Sequence, residues 1–151
     1  MTSDTAIVNI LKEQITAYKI LHDLLSRERA CLISIDSQRV EEISKEKDTV
    51  IMRLRLLEEE RQRLIKQFTV DNGMSSNINL DELGKLTGNN IFSELRSHLL
   101  SLLQSIEEMN RFNSILIDRS LNHIKNSNNF FSLFRKEDNP QFTGVLLSKE
   151  T

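Results

Sequence analysis

The chain has no tryptophan, one proline, four glycines and one cysteine. With so few helix breakers and turn formers, most of its length is free to run as long helices. The lone Cys31 excludes an internal disulfide, and its apolar neighbours at helical spacing make it a small core residue. No stretch approaches the roughly 20 apolar residues that cross a bilayer. The start, Met1-Thr2-Ser3-Asp4, is not the basic opening of a signal peptide. A cytoplasmic protein is expected. An excess of one charge is also lacking. Residues 1–35 carry four bases and four acids, residues 36–70 eight of each, and residues 91–129 four of each. Only 71–90 is unbalanced, with Lys85 against Asp71, Asp81 and Glu82. Without a basic cluster, the electrostatic footprint of a nucleic-acid binder is missing, as is a hold on an anionic membrane.

What is present is a seven-residue repeat. Leu11, Tyr18, Leu25 and Leu32 form one row, with Ile7, Leu21 and Ile35 as a companion row interrupted by Gln14 and Glu28. Rows at this spacing share one helix face, so a first helix is expected over 4–35. Asp36 suits the N-cap of a second helix over 37–69. That helix carries Ile43, Val50, Leu57 and Leu64 beside Val40, Lys47, Leu54, Arg61 and Phe68. Lys47 and Arg61 are expected to lay their stems on the seam and lift their charges into water. Glu41–Lys45 and Glu59–Arg63 read as pairs on a solvated face. Asp71-Asn72-Gly73 is a stop, and Asn79 with Glu82 caps a short helix over 80–87.

A third long helix is expected over 91–126, with Leu95, Leu102, Met109 and Leu116 in one row and Leu99 and Ile106 starting another. Leu103, Ile117 and Ile124 widen its stripe beyond a two-helix seam, so it is expected to pack on both other helices. The fold class is therefore all-α: an elongated antiparallel bundle or coiled coil over 1–127, with a C-terminal tail over 128–151. Whether the first two helices form a hairpin or a kinked rod stays open. So does homodimerisation. The tail holds four of the seven phenylalanines and the single Pro140. It is either free or folded back.

No residue set here makes a catalytic or metal site. His22, His98 and His123 lack the Glu-x-x-His and His-Glu-x-x-His spacings, and Glu94 with His98 offers only two ligands. Gly84-Lys85-Leu86 lacks the rest of a phosphate loop. A thin bundle is expected to offer no pocket of several hundred cubic ångströms. No enzyme, cofactor or metal is expected. Asn110 and Asn113, three apart beside Ile106 and Ile117, are either a buried amide that sets helix register or an interfacial pair that satisfies a partner.

Three stretches occur in a telling order: Lys45-Glu46-Lys47 through Leu54, Leu57-Glu58 and Arg61; Asn110-Arg111-Phe112-Asn113-Ser114-Ile115-Leu116-Ile117; and Asn139-Pro140-Gln141-Phe142-Thr143-Gly144. Over about residues 5–145 the chain resembles the FlgN family of flagellar export chaperones. Ser114 stands where that family usually has glycine, and Phe142 where it often has tyrosine. The resemblance implies a cytoplasmic chaperone that binds the C-terminal segments of hook-associated proteins and delivers them to the flagellar type III export apparatus. Leu116, Ile117, Leu121, Ile124, Phe130, Phe131 and Phe134, with Asn110 and Asn113, are the expected client contacts. Phe142 is the expected contact with the export gate's cytoplasmic domain. The competing expectation is a structural coiled-coil adaptor or scaffold without a secreted client.

Overall fold

The computed structural model describes residues 3–75 and 77–123, with side chains described for 4–75 and 77–120. Among the described residues it is all-helical: α1 (Ser3–Ile33), α2 (Ser37–Asp71), α3 (Leu80–Thr87) and α4 (Ile91–His123), with no strand.

Each helix end has a local cause. Asp36 Oδ1 accepts from the Arg39 amide at 3.2 Å and opens α2. Asn79 Oδ1 takes the Glu82 amide at 2.8 Å and opens α3, and Asn89 Oδ1 takes the Ile91 amide at 3.1 Å and opens α4. Gly88 closes α3 in the left-handed region at φ 68°. Ile35 does not extend the apolar row of α1. It lies in the turn at φ 56° and is 62% exposed. The chain must reverse at once to reach Asp36, and the Asp36 amide closes the α1 end by donating to Cys31 O at 3.0 Å.

The reversal makes α1 and α2 a hairpin. Gln14 pairs with Glu58, and Glu28 with Lys47, so positions rise along α1 as they fall along α2. α4 runs the other way, with His22 meeting Ser105 and Glu28 meeting Asn113. Hence α4 lies parallel to α1.

α1 packs closely on α2 and on α4, and α3 packs on α4; α2 and α4 contribute to the same core but approach each other less closely. The reason lies in three buried rows of α1. They are Ile7-Gln14-Leu21-Glu28, Leu11-Tyr18-Leu25-Leu32 and Ile10-Ala17-Leu24-Cys31. Together they cover too wide an arc for one partner. Each fully buried leucine in them contributes about 1.5–3 kcal/mol.

The core divides in two. The larger part, at the connector end, joins the N-terminal half of α1, the C-terminal half of α2, Ile78, Leu80 and Leu83 of the connector, and Phe92 to Ile106 of α4. The smaller part, at the turn end, holds Leu24, Cys31, Leu32, Val40, Ile43 and Ile117.

Candidate partner-binding surface

The two interruptions of the α1 row are not gaps. Gln14 is 1% exposed and Glu28 is 0% exposed. Glu28 stands between the two parts of the core and joins three helices. Its Oε2 accepts from Lys47 Nζ at 2.7 Å, and its Oε1 accepts from Asn113 Nδ2 at 2.8 Å. The same Asn113 nitrogen donates to Leu25 O at 2.9 Å. Lys47 and Arg61 therefore do not lift their charges into water, as their long stems suggested; they are 6% and 3% exposed. An acid waits at each level, and a buried charge with a geometrically matched partner need not reach solvent.

Nearer the connector end, Glu58 Oε2 accepts from Gln14 Nε2 at 2.8 Å, and its Oε1 accepts from Arg61 and Gln62. Tyr18 lies close by. Burial pushes its phenol up to about 12, with the Glu58 charge adding to the shift and Arg61 opposing it. Gln14 Oε1, Arg61 Nε and Asn113 Oδ1 are buried without a partner. On the outer face, Arg63 pairs with Glu60 in place of the expected Glu59. That hydrogen bond holds the Glu60 carboxyl below its usual value.

The flank where α1 and α4 meet has its own ladder. His22 lies 2.8 Å from Ser105 Oγ, and the Arg29 guanidinium sits 5.9 Å from the centroid of the Phe112 ring. These pairs share one register, which brings Ile33 level with Leu116. The flank thus passes from polar to apolar toward the turn end. There Ile33 is 64% exposed, Phe112 and Ile115 are each 45% exposed, and Leu116 is half-buried.

The expected contact residues separate in this geometry. Asn110 and Leu116 are half-buried on α4. Asn113 and Ile117 face inward, the first onto α1 and the second into the turn-end core. The Leu121 side chain and Ile124, Phe130, Phe131, Phe134 and Phe142 lie outside the described residues. The exposure of Phe112, Ile115 and Ile33 was not anticipated from the sequence. Their signal was available, since all three are large apolar residues that fall off the buried heptad rows.

Two hollows correct the expectation of no sizeable pocket. One of about 390 Å³ is lined by Glu58, Arg61, Gln62, Ile65, Asn77, Ile78, Asn79 and Glu82. The other, of about 360 Å³, lies among Asp4, Thr5, Val8, Asn9, Lys12, Asn89 and Ile91. The connector creates the first by crossing α2 beside residues 77–82. Neither lining includes a histidine, cysteine or serine. Among the described residues no three His, Cys, Asp or Glu side chains converge as a metal site, and no helix is long and apolar enough to cross a membrane.

The described residues build an all-helical protein with long packed faces, polar layers that fix alignment, and an apolar flank. The FlgN protein family matches residues 1–138, and the chain belongs to that family, one of flagellar export chaperones and not of enzymes. No curated protein and no solved structure matches the chain significantly.

Proposed function

We propose that this chain is a cytoplasmic chaperone for hook-associated proteins of the hook–filament junction. It binds their C-terminal segments and delivers them to the flagellar type III export apparatus. The observation that carries this reading is the apolar flank at the turn end of α4, in a member of the FlgN family. The body that presents this flank is an elongated antiparallel bundle followed by a Phe-rich tail. Segments that stay unfolded until assembly are apolar and helix-prone, and they gain order by lying along such a stripe. In this reading Leu116, Leu121, Ile124, Phe130, Phe131 and Phe134 contact the client, with Asn110 at the edge of the contact. Asn113 and Ile117 reach a client only when the end of α4 lifts from α1. Phe142 contacts the cytoplasmic domain of the export gate.

Calorimetric titration of the full chain with C-terminal segments of hook-associated proteins from the same organism tests the proposal. Saturable one-to-one binding with a negative heat-capacity change supports folding of the segment on an apolar face. An absence of both heat and co-elution overturns it in favour of a coiled-coil adaptor. Phe142→Ala is expected to leave client affinity unchanged and to lower export; normal export removes Phe142 from the gate contact.

A further inference from the structure

We infer that the outer face of α2 is a docking site for the same face of a second copy of this chain, the two helices running antiparallel about a twofold axis at Met52. The inference does not rest on which client the chain binds.

Helical spacing defines the face. The buried set of α2, with Val40, Lys47 and Leu54, lies on the side of α1. At about 100° per residue, the opposite side of the helix carries Glu41, Lys45, Met52, Leu56, Glu59 and Arg63. All six are exposed. Met52 and Leu56 stand one turn apart in the middle of the helix, at 52% and 59% exposure. α4 packs on α1, away from this face.

The charges on the face identify what covers it. Glu41 and Arg63 stand eleven residues either side of Met52, and Lys45 and Glu59 stand seven. An antiparallel copy turned about Met52 therefore sets Glu41 opposite the partner's Arg63 and Lys45 opposite the partner's Glu59. Each pair occurs twice about the axis, so opposite signs meet at both ends of the face. Between them Met52 meets its own copy, with Leu56 beside it on each chain. A parallel copy in register would set every charge against itself. Asp48 comes opposite the partner's Leu56, a mismatch that weakens the association.

These charges are little used within the chain. Among the described residues Glu41, Lys45 and Glu59 form no ion pair. Arg63 donates to Glu60 through Nε and Nη2, which leaves donors of its guanidinium for a second carboxylate. From Glu41 to Arg63 the face is about 33 Å long and one helix wide. A small apolar centre with a charged rim on so narrow a face suits a reversible dimer, not an obligate one. The α1–α4 flank lies beyond α1 from this face, so the dimer presents two such flanks.

Sedimentation velocity of the full chain over a range of concentrations tests the inference. A monomer–dimer equilibrium is expected, and it should weaken as salt rises from about 0.05 to 0.5 M, because exposed ion pairs are screened. Lys45→Glu should raise the dimer dissociation constant at least about tenfold, and adding Glu59→Lys should return it to within about threefold of the parent. In a Cys31→Ala background, Met52→Cys should give a disulfide-linked dimer on mild oxidation, whereas Lys66→Cys, far from the axis, should not. A chain that stays monomeric up to about 0.5 mM overturns the inference. A dimer that ignores Lys45→Glu, or that Glu59→Lys does not rescue, overturns it and moves self-association to another face. Failure of Met52→Cys to link while the parent is dimeric overturns the register.

Discussion

The connector end and the turn end of the molecule are built from the same heptads, yet they differ in what holds α4. At the connector end Phe92, Leu95, Leu99, Leu103 and Ile106 enter a continuous apolar core that also takes in Leu80 and Leu83 of α3. At the turn end the described part of α4 buries Asn113 and Ile117 alone, and Asn113 is anchored to a carboxylate. The contrast teaches that helix-to-helix attachment can be graded along one helix by exchanging apolar layers for polar ones. Apolar layers hold by area, and a polar layer holds only while every partner stays in place.

The largest effect is expected on the boundary itself. Glu28→Ala leaves Lys47 and Asn113 facing a void and should cost about 3–5 kcal/mol in urea unfolding. Glu28→Leu combined with Lys47→Met and Asn113→Leu should cost far less than Glu28→Ala, because apolar groups then replace the whole polar layer. A cost below about 1 kcal/mol for Glu28→Ala would mean that the two ends are not separated by this layer. Next in size, Leu99→Ala opens a cavity in the larger core and should cost about 2–5 kcal/mol. Its loss should appear as an earlier midpoint of one transition shared by all probes.

A smaller effect depends on pH. Tyr18 is raised from 10 to about 12 in the folded state. Above pH 10 the unfolded chain gives up the phenol proton while the folded chain retains it. Stability present below pH 10 is therefore lost as pH rises toward 12, by about 2–3 kcal/mol at most. Tyr18→Phe should remove that slope, and an unchanged slope would place its source elsewhere. The gentlest probe is native-state hydrogen exchange. Amides of residues 113–120 should exchange through local opening, whereas those of 95–106 should follow global unfolding. Equal protection along α4 would dissolve the contrast between the ends.

Much of the fold was legible in the sequence because heptads, caps and stops are local signals. Asp36, Asn79 and Gly73 each act at the position their chemistry suggests. Three features were not legible, and each depends on how the helices pack against one another. Lys47 and Arg61 read as surface-seeking because their acids come from remote positions or from the seam itself, Glu28 on another helix and Glu58 one turn away. The central place of α1 was not read from the sequence, which gave α1 two apolar rows where the structure buries a third, Ile10-Ala17-Leu24-Cys31. At the candidate surface, the amide of Asn113 was read from spacing as either buried or interfacial, and only the α1 backbone beside it gives it the buried place. Phe112 and Ile115, each 45% exposed, stand off the repeat and so carry no heptad signal.

The paired layers of the α1–α2 hairpin carry a further consequence. Along α1 the row Ile7, Gln14, Leu21, Glu28 alternates apolar and polar; along α2 the row Phe68, Arg61, Leu54, Lys47 alternates in step. An ordinary heptad seam tolerates sliding by one repeat, since one leucine resembles the next. Here a slide by one repeat sets Lys47 against Leu21 and Arg61 against Ile7, or Glu28 against Leu54. Two slides are needed before like meets like again, about 21 Å along the axis at the usual helical rise. The effective repeat is doubled, so each single-repeat misalignment buries a charge against an apolar side chain. The same code reads identically between two chains, however. Two molecules that exchanged their second helices would satisfy every layer equally well. Only the short turn through Ile35, held at φ 56°, keeps the match within one chain.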